Sequence, residues 1–191
     1  RYEIFFNSQY TQSLAENLYK MKGKVHYPRI DDQFYFAGIC RNHLPYYVCV
    51  GRLVNFVREC ELIIQTFNDM KLPLLMIGSG PDEWYLKSIA GDTVIFLGWL
   101  NHEETIEILK QAKGLINLTK ESFGMGTVEA LLLGVPVIGF NEGGTKELVD
   151  EESGILIEKK DKKNLKDALV AFEKKVFDRK LISERIREKM G

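Results

Sequence analysis

Long apolar runs are missing from this 191-residue chain, and with them any segment long enough to span a bilayer. No apolar stretch of the secretory kind follows Arg1, so no signal peptide is visible. Arg1 stands where an initiator methionine would, which points to a piece excised from something larger. Cysteine is scarce and odd in number. Cys40, Cys49 and Cys60 match no zinc-ribbon or redox spacing and read as reduced thiols of a cytosolic protein. His26, His43 and His102 are scattered without ligand spacing, and neither a Ser/His/Asp set nor a metal cluster is visible. Net charge is nearly absent: 26 basic against 27 acidic residues leave −1. That balance argues against general attraction to nucleic acid or membrane while leaving room for a local basic cleft. Repeats and low-complexity segments are lacking as well.

What is present is 45% hydrophobic residues, enough for one well-buried domain. From Tyr46 onward short apolar runs alternate with amphipathic segments. Strands are expected at Tyr47–Val50, Leu74–Ile77, Thr93–Leu97, Leu115–Leu118, Val135–Gly139 and Gly154–Ile157. Between them lie helical patterns around Leu62–Phe67, after Pro81-Asp82-Glu83, over His102–Gln111, near Thr127–Leu133 and at Thr145–Val149. Asn101 with Glu104 reads as a capping box. Strict alternation means parallel strands joined by crossover helices, hence an α/β fold with a doubly wound parallel sheet and helices on both faces. Upstream, Ile4–Ser8, a helix around Thr11–Met21 and Val25–Pro28 look like one further βαβ unit, and Asp31–Asn42 reads as a linker or long loop. The expected division is a junction with its linker over 1–45 and a ligand-binding domain over 46–191. The tail beyond Asp161 reads as two helices with a solvated charged face.

Five segments follow strands, where open α/β sheets bind ligands. Gly51-Arg52-Leu53 follows the first main strand, with Arg58 expected at the start of the next helix. Two guanidinium groups there can grip a diphosphate; equally, Arg58 can be an ordinary exposed helix residue. Gly78-Ser79-Gly80-Pro81 lacks the dinucleotide fingerprint, since Glu83 stands where its third glycine belongs, and a tight turn without ligand accounts for it. Gly98-Trp99-Leu100-Asn101 can offer backbone to a base, although packing accounts for Trp99. Asn141–Thr145 can border the same cleft or form a plain turn.

The fifth segment, Glu121-Ser122-Phe123-Gly124-Met125-Gly126-Thr127-Val128-Glu129, is the most informative. It runs from a strand through glycines into a helix entrance whose first N–H groups lack partners and can hold phosphate. Carboxylates repel phosphate, so Glu121 and Glu129 suit sugar hydroxyls better. The segment suggests a ligand with phosphate and polyol parts.

In order, these segments resemble the C-terminal, donor-binding domain of the retaining GT-B glycosyltransferases of glycosyltransferase family 4. The matching motifs are Val50-Gly51-Arg52-Leu53, Ile77-Gly78-Ser79-Gly80-Pro81, Phe96-Leu97-Gly98, Glu121-Ser122-Phe123-Gly124 through Glu129-Ala130, Gly134-Val135-Pro136-Val137-Ile138 and Gly143-Gly144-Thr145-Lys146-Glu147. They cover about Tyr46 to Ile157, and Asn7-Ser8 with Val25–Pro28 looks like the exit from the family's N-terminal domain.

The resemblance implies roles. Arg52 and Arg58 would bind the donor's diphosphate, Arg58 standing where the family usually has lysine. Glu121 would face the transferred sugar and Glu129 the ribose hydroxyls. Backbone at Phe123 and Gly124 would meet sugar or phosphate, and Met125, Gly126 and Thr127 would set the helix N-terminus under the diphosphate. Gly51, Gly78, Gly80, Gly98, Leu100 and Ser122 complete the expected donor site. Neither metal nor cofactor is expected, because fixed donors do the work of a cation. The implied partners are a nucleotide sugar (GDP-mannose or a UDP-sugar), a glycan or lipid-linked acceptor, and a missing N-terminal Rossmann-like domain. No nucleic acid is expected. The implied setting is cytoplasmic, with peripheral association of the full-length enzyme at the inner membrane face left open. A nucleotide-sugar epimerase or phosphorylase of this fold, or a non-catalytic binding module, stands as the alternative.

Overall fold

The computed structural model describes residues 2–191. In chain order its elements are β1 (Phe5–Phe6), α1 (Gln9–Tyr19), β2 (Lys24–Val25), α2 (Asp32–Phe36), β3 (Tyr47–Val50), α3 (Asn55–Arg58), α4 (Cys60–Met70), β4 (Leu74–Ile77), α5 (Glu83–Ile89), β5 (Val94–Gly98), α6 (His102–Gln111), β6 (Gly114–Asn117), α7 (Met125–Leu132), β7 (Val137–Phe140), α8 (Thr145–Leu148), β8 (Gly154–Ile157), α9 (Lys162–Lys174) and α10 (Arg179–Met190). Strands β3 to β8 form one parallel sheet in the order β5-β4-β3-β6-β7-β8. β1 and β2 pair separately, also in parallel. The chain starts in the middle of the large sheet, builds outward to β5, then returns to lay β6 against the other side of β3. That reversal leaves a crevice above the carboxyl ends of β3 and β6.

Successive residues of a strand point to opposite faces, and β3 shows how this builds two cores. Tyr47 and Cys49 pack with Ile63 and Phe67 of α4 and with Leu169 and Phe172 of α9 on one face. Val48 packs on the other with Leu109 of α6, Val128 and Leu131 of α7, and Ile182 and Ile186 of α10. Apolar residues on both faces are what a covered parallel sheet requires. Burial pushes the Cys49 thiol up to about 11 and that of Cys60 to about 12, so both stay protonated at neutral pH. The tail helices complete the two layers and turn their charged faces outward, as the sequence suggests. Buried Arg179 binds α10 to the α7–β7 turn by donating from Nε to the Gly134 carbonyl (3.0 Å) and to the end of α6 by donating from Nη2 to the Lys110 carbonyl (2.9 Å).

Three expectations shift. The segment 31–42 is not wholly irregular: Asp31 caps α2 by accepting from the Gln33 amide, and Phe34 buries in the core. Five residues are too few to show a helical period, so tertiary burial decides. Arg58 closes the one-turn α3 rather than opening the long helix, because Glu59 adopts a left-handed conformation (φ 55°) and separates α3 from α4. Strand β7 begins at Val137, two residues late, since Pro136 has no N–H for the ladder.

Gly78 makes a close approach between two loops on the crevice side. Its φ is +122°, and a Cβ there would come 2.1 Å from the Gly51 carbonyl oxygen. Gly78→Ala therefore strains the backbone and drives two loops apart. Urea unfolding should show a loss of about 2–3 kcal/mol, whereas Ser79→Ala, at an exposed neighbour, should stay within about 0.5 kcal/mol.

Candidate nucleotide-sugar site

Above the sheet, between the ends of β3, β4 and β5 and the first turns of α6 and α7, lies a cleft of about 460 Å³. Gly51, Arg52, Gly78, Leu100 and Glu129 line it, all of them expected site residues. Ser79, Trp99, His102 and Thr105 line it as well. Trp99, expected to pack, is instead 75% exposed. Gly80 and Gly98 do not line the cleft. Gly80 sits against the Leu53 carbonyl, and Gly98 ends β5, its carbonyl accepting from the Gly78 amide at 2.7 Å. These two glycines shape the turn rather than the wall.

The two arginines differ. Arg52 is exposed and makes no side-chain hydrogen bond or ion pair among the described residues. Arg58 folds back beneath Gly51. Its Nη1 donates to the Val50 carbonyl (3.2 Å), and its Nη2 stands 3.6 Å from Glu121 Oε1. Arg58 and Glu121 do not line the cleft but meet each other, with side chains 23% and 21% exposed. Glu121 is held again by Asn117, whose Nδ2 lies 3.3 Å from Glu121 Oε2 and 3.0 Å from Thr127 Oγ1. The Thr119 amide donates to Asn117 Oδ1 at 3.2 Å. Buried Asn117 thus fixes the carboxylate and the start of α7 at once. An asparagine at the last position of an otherwise apolar strand was the available signal, and sequence reasoning gave it no role.

After Glu121 the chain passes through Gly124, at φ +107°, into α7, which has no side-chain cap. Thr127 and Val128 donate to the Gly124 carbonyl. The amides of Phe123, Gly124, Met125 and Gly126 donate to no acceptor among the described residues. These orphan donors, at the positive end of the helix dipole, favour an anion. Ser122 and Phe123 direct their other groups elsewhere. The Ser122 carbonyl accepts from Ser8 Oγ (2.5 Å), Asn7 Nδ2 lies 3.3 Å from Ser122 Oγ, and the Phe123 ring stacks on Tyr27 at 5.5 Å. Only their amides remain for a ligand.

Glu129 lies one α-helical face further on, partly buried in the cleft wall. Burial pushes its carboxyl above the ordinary carboxylate range; His102 draws it down, while Glu121 and Asp31 push it up further. His102, on the first turn of α6, stands 3.3 Å from Asp31 Oδ2 and packs edge-on against Phe34. Its partners are distant in sequence, which is why spacing alone did not reveal it. Among the described residues no group of three His, Cys, Asp or Glu side chains is placed to hold a metal ion. No described helix is long and apolar enough to cross a membrane.

Parallel strands in this order, with a cation and unpartnered N–H groups at the point of reversal, define a Rossmann-like domain. Residues 45–174 match the family model Glycosyl transferases group 1, and the chain belongs to that family. N-acetyl-alpha-D-glucosaminyl L-malate synthase of Bacillus anthracis is 29% identical over 143 residues, covering 69% of this chain and 37% of that protein. The GDP-mannose-dependent monoacylated alpha-(1-6)-phosphatidylinositol monomannoside mannosyltransferase of Corynebacterium glutamicum is 30% identical over 143 residues, 66% of this chain and 37% of that protein. The chain thus spans 37% of the length of each of these relatives. Among solved structures, the lipopolysaccharide outer core galactosyltransferase WaaB in its apo form superimposes with a TM-score of 0.80 at 17% identity, over 97% of this chain and 57% of that one. Anabaena Alr3699/HepE in complex with UDP and glucose gives 0.70 at 19% identity, over 98% and 62%. At these identities the likeness is one of fold, and the fold is that of the GT-B glycosyltransferases.

Because the folded protein holds the Glu129 proton more tightly than the unfolded chain, stability falls as pH rises from the ordinary carboxylate range through the raised folded value. Glu129→Gln should therefore raise the melting temperature at pH 7 to 8 and leave it unchanged near pH 4. Calorimetry at both pH values checks the sign. An equal rise at both would mean the carboxylate is not penalised by burial.

Proposed function

We propose that this chain is the donor-binding half of a retaining glycosyltransferase that uses a nucleotide-activated hexose, GDP-mannose or a UDP-sugar, and transfers the hexosyl group to a glycan or lipid-linked acceptor. The observation that carries this reading is the meeting, at one edge of the sheet, of a free cation (Arg52), a paired one (Arg58 with Glu121) and the unpartnered amides at the start of α7. A diphosphate in the crevice accepts from these groups. Its nucleoside lies along the cleft with ribose hydroxyls on Glu129 and the base beside Trp99 and Leu100. The hexose extends the other way to Glu121. Two relatives support the donor class: one is described as GDP-mannose-dependent, and one neighbour of the same fold was solved with UDP and glucose.

Transfer breaks the bond between the anomeric carbon and the diphosphate oxygen and forms one to the acceptor oxygen, whose proton leaves with the released nucleoside diphosphate. Negative charge grows on the leaving oxygens, so donors already fixed there stabilise the transition state more than the ground state. Arg52, Arg58 and the α7 amides supply that field without a divalent metal. Glu121 and Asn117 hold Arg58 so that no reorganisation is needed when charge develops. The facing wall of the cleft and most of the acceptor contacts come from a second Rossmann-like half. This half alone binds nucleotide and transfers little.

Calorimetric titration of GDP and UDP tests the reading. Saturable binding is expected, weakened about 10-fold or more by Arg52→Ala and by Glu129→Ala and unchanged by EDTA. Trp99 fluorescence should respond to nucleotide in a Trp84→Phe background. No saturable binding of either nucleotide, or binding untouched by both substitutions, would sink the site. Loss of binding on adding EDTA would sink the metal-independent mechanism alone.

A further inference from the structure

A second cavity, of about 510 Å³, opens on the same edge of the sheet, between the first turns of α1 and the loop joining β7 to α8. Gln9, Tyr10 and Ser13 form one wall; Asn141, Lys146 and Glu147 form the other. Its size falls within the roughly 300–1,000 Å³ of small-molecule sites. Its position follows from strand order. The cleft spans the ends of β3, β4 and β5, the arginine and amide donors sit at β3 and β6, Glu121 follows β6, and this cavity follows β7. Its lining abuts the Glu121 main chain. Gly143 lines the cavity and lies so close to the Glu121 carbonyl that an added Cβ would come within 2.4 Å of it.

The chemistry of the walls favours a neutral, hydroxyl-rich ligand. Lys120 and Glu142 pair at the rim and cancel, leaving the Lys146 cation against the Glu147 carboxylate. An anion would meet Glu142 and Glu147. A hydroxyl both donates and accepts, and Ser13 offers both functions; Asn141 and Gln9 each keep a carbonyl oxygen and one N–H beyond those that donate to Glu158 and to the Tyr27 hydroxyl, while Lys120 covers one face of the Tyr10 ring. Glu147 Oε2 accepts from the Tyr10 amide at 3.2 Å, tying the walls together. We propose that this cavity is an acceptor subsite, holding a sugar or polyol unit of the acceptor next to Glu121. This rests on the transferase reading given above.

Chemical-shift mapping on the 191-residue chain tests it, with methyl α-D-mannopyranoside, methyl α-D-glucopyranoside, N-acetylglucosamine, glycerol and inorganic phosphate as separate probes. At least one hydroxylated probe should give saturable shifts at the amides of Gln9–Ser13 and Asn141–Glu147. Asn141→Ala should weaken that binding several-fold. Ser13→Trp, at an exposed position on the rim, should abolish it while GDP or UDP affinity stays within two-fold. The shifts should persist in Glu129→Ala, where nucleotide binding is weakened, so failure of the donor site and failure of this cavity are read separately. Saturable shifts from phosphate alone, shifts confined to the donor cleft, shifts unaffected by both cavity variants, or none with any probe at 100 mM would each overturn the proposal.

Discussion

A parallel sheet that begins in its own middle must reverse direction once, and everything that gives this chain a site depends on where it does so. β3 lies between β4, which follows it, and β6, which the chain reaches only after β5 and α6. At that seam the connections leave in opposite directions, so no crossover helix covers the strand ends. The loops there are free to turn polar groups upward: the β3 loop brings Arg52 and the fold-back Arg58, and the β6 loop brings Glu121 and the bare start of α7. Covered by apolar helices on both faces, the sheet itself has no other place to present charge cheaply.

Within the seam, Asn117 links support and chemistry. A buried amide must satisfy its donors and its acceptor, and this one does so with Glu121, Thr127 and the Thr119 backbone. The orientation of a largely buried carboxylate is thereby tied to a group that cannot move without leaving buried polar atoms unpaired. Arg58 adds a contact from the other strand. The pair, at 3.6 Å and largely withdrawn from solvent, sets the two charges at a fixed separation. Asn117 at the end of β6, Arg58 at the end of α3 and Gly144 in the β7–α8 loop, whose amide donates to the Glu121 carbonyl at 2.8 Å, converge on one residue.

The features legible in the sequence were those that depend on local pattern. β3, β4 and β8 are short apolar runs bounded by polar or glycine residues, and they fall where those runs lie. α6 announces itself through Asn101 and Glu104, which form the reciprocal cap. What escaped was decided by contacts across the chain. α2 exists because Phe34 is buried, not because five residues prefer a helix. The break at Glu59 follows from Asn55, whose side chain accepts from the Glu61 amide and whose own amide donates to Asp82. His102 gains meaning from Asp31 and Phe34, and Trp99 stays in solvent at the cleft lip because the β5–α6 turn leaves it no surface to cover. Family resemblance named the motif positions; it did not reveal that Ser122 and Phe123 spend their side chains on the junction.

That last contact has a mechanical side. Ser8, fully buried, both caps α1 and donates to the Ser122 carbonyl, while Tyr27, beyond β2, stacks on Phe123. Downstream, Arg187 of α10 donates to the Tyr35 carbonyl at 2.7 Å and rests over its ring. The small βαβ unit is therefore coupled to the peptide that follows Glu121, and α2, next along the chain, is coupled to the terminal helix. The position of that unit is thus tied, through Ser122 and Phe123, to the loop that presents the unpartnered amides of residues 123 and 124.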